Sequence, residues 1–83
     1  MKMTEEFVLD FDVTSPKIIA NTGTMIIENV RKAIQISDTA VTVDAGRFFV
    51  TVKGQKFVIS ELMEGRMELA GKIETIEFYK PLG

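Results

Sequence analysis

The side chains here with reactive or ligating potential are almost all carboxylates and amines. The chain holds 12 Asp and Glu against 10 Lys and Arg, with neither cysteine nor histidine. A nucleophilic triad needs a base, usually an imidazole, so Ser15, Ser37 and Ser60 lack the partner that would activate them. Thiolate and imidazole metal ligands are missing for the same reason. Asp10 and Asp12 share one side of an alternating segment, about 7 Å apart along a strand. A solvated outer face explains them more simply than a glycosidase-like pair. Glu68, Glu74 and Glu77 come nearest to a hard-cation site. No turn has the D-x-D-x-D-G spacing of a calcium loop, however, and Lys72 lies among them. Neither G-x-x-x-x-G-K-[ST] nor G-x-G-x-x-G occurs, which removes the phosphate cradles. The expectation is a protein that is not an enzyme and uses no metal or cofactor.

Binding is the remaining class. Arg31, Lys32, Arg47, Lys53 and Lys56 surround Phe48 and Phe49, a composition compatible with a base-stacking platform on a small barrel. The formal net charge of −2, with both signs interspersed, gives no field that favours nucleic acid or anionic lipid. Nucleic acid is therefore the alternative partner rather than the expected one. The adjacent phenylalanines carry more information as a strand with two apolar faces. Such a strand is covered on both sides, or one face awaits a partner. Arg47, Phe48, Phe49 and Lys53 form the candidate interaction surface. A chain of 83 residues buries only about 60–65% of its unfolded surface. Without disulfides, a homo-oligomer or docking on another protein is the natural supplement.

The elements that would carry these residues are short strands. Phe7, Leu9, Phe11 and Val13 alternate with polar residues, as a half-buried strand requires, and Pro16 stops the run. Lys17–Ala20 follows and ends in the turn-prone Asn21-Thr22-Gly23. Residues 25–36 crowd isoleucines and a valine behind no helix cap, which favours two strands over one amphipathic helix. Ala40–Asp44, Arg47–Val52, Lys56–Ser60, Met67–Leu69 and Ile73–Tyr79 complete the set, with Gly46, Gly54 and Gly71 as punctuation and residues 61–65 as a longer connection. Ile73 falls out of register with Ile76 and Phe78, so a bulge near Thr75 is expected. Three apolar-x-apolar units each run toward a glycine, but their spacing is unequal. The even strand spacing predicts a single all-β domain over residues 1–83, a small antiparallel β-sandwich of about eight short strands. A small barrel or a β-solenoid are the alternatives. The first residues lack the apolar core of a signal peptide, and no apolar run approaches the roughly 18 residues of a membrane span, which points to the cytoplasm.

Five strings carry a family resemblance: P-K-I-I (Pro16–Ile19), I-I-E-N (Ile26–Asn29), S-D-T-A-V-T-V (Ser37–Val43), V-K-G-Q-K-F-V-I (Val52–Ile59) and M-E-L-A-G-K-I-E-T-I-E-F (Met67–Phe78). In order and spacing they resemble the YabP/YqfC family of bacterial sporulation proteins, with the YqfC branch somewhat closer. The family usually has a small residue or glycine after I-E-N, where this chain has Val30-Arg31-Lys32. The resemblance implies a small all-β domain made in an endospore-forming bacterium, in the mother-cell cytoplasm. It also implies a non-enzymatic role in spore formation. Members are often encoded beside integral-membrane sporulation proteins, so a membrane-protein partner, and peripheral placement at the forespore membrane through it, are part of that expectation.

Overall fold

The computed structural model describes residues 16–80, and every regular element in that span is a β-strand. The strands are β1 (Lys17–Ala20), β2 (Thr24–Glu28), β3 (Lys32–Ile36), β4 (Ala40–Asp44), β5 (Phe49–Met63) and β6 (Arg66–Tyr79). They form one antiparallel sheet in the order β1-β2-β6-β5-β4-β3. The alternating segment Phe7–Val13, with Asp10 and Asp12, lies outside the described residues. Residues 25–36 hold two strands, β2 and β3, joined by residues 29–31, as their β-branched content predicts.

Glycine spacing leads one to expect about eight short strands in a sandwich. The described residues instead form one open sheet of six, because Gly54 and Gly71 bend strands without ending them. Residues 61–65 are likewise no long connection. Met63 pairs with Arg66, and Glu64 and Gly65 both have positive φ (47° and 79°), as in a two-residue type I′ hairpin turn.

The sheet cannot be flat. In its strand order β2 and β3 are four spacings apart, about 19 Å at roughly 4.8 Å each. The chain from Glu28 to Lys32 covers four Cα steps, at most about 14 Å. The sheet must therefore curl toward itself. Within the link, Asn29 takes a φ of 67°, the Val30 amide donates to the Gly65 carbonyl (2.9 Å) and the Arg31 amide to the Asp44 carbonyl (2.7 Å).

The two long strands bend where glycine allows close approach. A Cβ on Gly54 would stand 1.8 Å from the Lys72 carbonyl oxygen and 2.8 Å from the Phe57 ring. On Gly71, whose φ is +144°, it would meet the same ring at 2.7 Å and the Lys56 carbonyl oxygen at 2.8 Å. Phe57 is thus wedged between two glycines and buried. Register shifts on both sides of residues 54–58 mark the bend, and Lys56 takes a φ of 59° there.

The sheet repeats itself about its centre. Hairpin β1–β2 docks on the first half of β6, and hairpin β3–β4 docks on the first half of β5. Asn21 and Ser37 cap the two hairpin turns in the same way. Each accepts, through its side chain, from the amides two and three residues on. The Gly71 amide donates to the Gly23 carbonyl at one bend, and the Gly54 amide to the Thr39 carbonyl at the other, both at 3.0 Å. Two of the three apolar-x-apolar-glycine units, ending at Gly54 and Gly71, hold these equivalent places.

Alternation places the core. Met25 and Ile27 lie opposite Leu69 and Met67, while Val41 and Val43 lie opposite Val52 and Val50. All eight side chains are fully buried in one cluster with Val30, Ala45 and Phe57. Lys53 pairs with Thr75 and Gly54 with Ile73, so Glu74 is the extra residue of a bulge. That bulge, beside Thr75 as expected, lets both Ile73 and Ile76 pack on the core.

Candidate interaction surface

The residues proposed from sequence are separated by strand alternation. Arg47 and Phe48 sit in the β4–β5 connection, Phe49 opens β5, and Lys53 lies four residues along it. Val50 faces the core opposite Phe78, and the Phe48 ring meets the Phe78 ring edge-on (centroids 6.4 Å apart, planes at 82°) at the rim of that core face. Phe49 pairs with Tyr79 on the outer face, where Thr51 and Lys53 also point. There the Lys53 ammonium lies 3.5 Å from the Glu77 carboxylate, and the Tyr79 hydroxyl donates to Glu77 at 2.5 Å. The hydrogen bond from Tyr79 is the main cause that lowers the Glu77 pKa, with Lys53 adding to it, and the same bond raises the tyrosine pKa. Behind them the Thr42 and Thr51 hydroxyls bond at 2.9 Å, with Thr51 buried.

The acidic residues weighed as a cation site are each engaged separately. Glu68 pairs with Arg66 at 3.1 Å, Glu74 accepts from the Gln55 amide at 3.2 Å, and Glu77 is held as above. A shallow hollow of about 300 Å³ opens across β1, β2, β5 and β6 beside Ile19, Ile26, Ser60 and Glu68. Its one carboxylate belongs to the Arg66 pair, so no acid–base couple converges there.

Several of the most exposed apolar side chains lie on the edges of β5 and β6, Leu62 and Met63 among them in the stretch 61–65 expected as a connection. β5 pairs with β4 only as far as Lys53, and beyond it the Gly54 and Phe57 amides donate to the Thr39 and Asp38 carbonyls (3.0 and 2.9 Å). From Val58 to Met63 no described strand lies on that side. Val58, Leu62 and Met63 are 63%, 51% and 57% exposed there. β6 is similar. Its pairing with β2 ends at Ala70, and past the bond from the Ile73 amide to Thr22 its far end, with the exposed Phe78 and Tyr79, has no described neighbour on that side. The signal for Leu62 and Met63 was the Glu64-Gly65 pair, which serves as a tight hairpin turn although it lacks the commoner Asn-Gly.

These bent, glycine-hinged strands coincide with a known sequence pattern. The family model for the YabP family matches residues 14–81 of the 83. The chain belongs to the YabP family. No curated protein and no solved structure matches it. The match spans the hinge at Gly54 and Gly71 and the whole of the central hairpin β5–β6.

Proposed function

We propose that this YabP-family chain is a non-enzymatic structural protein of endospore formation, working by self-association or by docking on another sporulation protein, an integral-membrane one included. The observation that carries this reading is that the second half of β5 and the far end of β6, like the outer edges of β1 and β3 with Ile19, Ile34 and Ile36, have no neighbour among the described residues and bear the exposed Val58, Leu62, Met63, Phe78 and Tyr79. Edges of monomeric proteins are commonly blunted by lysine, proline, bulges or a covering element. Here bulges are present and Ser60, Glu74 and Thr75 are exposed too, yet Val58, Leu62, Met63, Phe78 and Tyr79 leave large apolar side chains exposed among them. Family membership supports the sporulation setting, and the mother-cell cytoplasm is the matching location. The P-K-I-I start and early I-E-N string favour the YqfC branch. Single-stranded nucleic acid is the weaker reading, because Lys53 is paired with Glu77 and the two phenylalanines point to opposite faces.

The test is genetic. Removing the gene from an endospore-forming bacterium that carries it should lower the count of heat-resistant spores, and the wild-type chain should restore it. A Val58→Lys/Leu62→Lys variant that retains its far-UV circular dichroism should fail to restore it. Full restoration by that folded variant would refute the role of the edge.

A further inference from the structure

We infer that the β5 edge from Val58 to Met63, which has no neighbour among the described residues, pairs antiparallel with the same edge of a second copy, Val58 opposite the partner's Met63 and Ile59 opposite the partner's Leu62. This rests on the reading above and names its partner. The argument is one of register. Pairing with β6 fixes the faces: Ile59 opposes the buried Leu69 and Leu62 the buried Met67, on the core side. Val58 opposes Ala70 and Met63 opposes Arg66, on the outer side. Ser60 is the extra residue between them, its hydroxyl donating to the Glu68 carbonyl at 3.3 Å.

A twofold axis through the midpoint of Ser60 and Glu61 then sets outer residues against outer and core-side against core-side. Every position and its partner number sum to the same value in such a pairing. A slip of one residue in the sum, either way, sets an outer residue against a core-side one. A slip of two either sets Val58 against Glu61 or sets Glu61 against Leu62. The chosen register alone matches apolar to apolar at both pairs, and cross-strand apolar pairs are the unit of sheet stabilisation. It also sets Phe57 against the partner's Glu64, which brings that carboxylate beside Lys56. Leu62 is half exposed although it faces the core side. In the pair, Ile59 and Leu62 of both copies continue the core across the axis, and the four strands β1-β2-β6-β5 become a sheet of eight.

The chain has no cysteine, so introduced thiols report on this contact alone. Full-length Val58→Cys and Met63→Cys chains would be mixed and oxidised, with each also oxidised by itself. The expected result is a disulfide-linked heterodimer from the mixture and little from either chain alone, since like positions lie several residues apart in this register. Separately, Val58→Lys should raise the dissociation constant of the association about tenfold or more. Equal cross-linking of Val58→Cys with itself would overturn the register. Free thiols in a monomeric mixture would overturn the dimer and leave the edge to the chain's own residues 5–13 or to a different protein. Association that survives Val58→Lys unchanged would keep self-association but refute this edge.

Discussion

Replacing Gly54 by alanine adds one methyl group at the tightest point of the fold. That carbon would stand 1.8 Å from the Lys72 carbonyl oxygen, far inside contact distance, and the opposing atom is backbone rather than a flexible side-chain tip. The Phe57 ring at 2.8 Å closes the other way out. Overpacking a core by a methylene typically costs about 1–3 kcal/mol. Here the strands β5 and β6 must separate where Gly54 pairs with Ile73, so the cost should reach the top of that range, about 3 kcal/mol or more. A domain of this size has roughly 4–12 kcal/mol in total. At about 4–8 °C per kcal/mol, the midpoint of thermal unfolding should fall by roughly 12–24 °C, read by far-UV circular dichroism. Gly23→Ala is the control. Its Cβ would meet only the Asn21 side chain, at 3.8 Å, and it should stay within about 0.5 kcal/mol of the parent. A Gly54→Ala chain as stable as the Gly23→Ala chain would refute the reasoning that glycine is required for close approach rather than for a turn.

Further predictions concern the same hinge and the outer face. Phe57→Ala should cost about 3–5 kcal/mol in denaturant unfolding, because the ring fills the space that two glycines leave open. Lys56→Gly should be neutral or stabilising by up to about 1 kcal/mol, since Lys56 holds a φ of 59° that glycine adopts without strain. Tyr79 is the chain's single tyrosine, so absorbance near the phenolate band follows it alone. Its phenol should titrate above the ordinary 10.0, and Glu77→Gln should bring it back toward that value. The sign of the linkage follows. The lowered Glu77 carboxyl contributes stability above its ordinary 4.5 that is lost as pH falls through the folded-state value, while the raised Tyr79 contributes below 10.0 and loses it as pH rises. Both groups are exposed, so each contribution is small.

The strands were legible because alternation is local. Met25 and Ile27, Val41 and Val43, Val50 and Val52, and Met67 and Leu69 each announce one buried face, and the mismatch of Ile73 with Ile76 announces the bulge at Glu74. The glycines were ambiguous for a physical reason. A turn and a close backbone approach both demand a missing Cβ, and only the Lys72 carbonyl opposite Gly54 tells them apart. Reading Gly54 and Gly71 as turns splits two long strands into four, which turns one bent sheet into an expected sandwich. The candidate surface suffered differently. Phe48 and Phe49 are conspicuous in sequence but half-buried, with Phe78 and Tyr79 as neighbours. Val58, Leu62 and Met63 look like ordinary strand and connection residues, and their exposure follows from where β4 stops.

The central claim is that the β5 edge of this YabP-family sheet, without a neighbour among the described residues, is its working surface, and sedimentation velocity of the purified full chain tests it most directly. From low to high micromolar concentration the wild-type chain should shift from monomer toward dimer, and a Val58→Lys/Leu62→Lys chain with unchanged circular dichroism should remain monomeric across the series. A wild-type chain that sediments as a monomer throughout, or a doubly charged chain that associates as well as the parent, would contradict it.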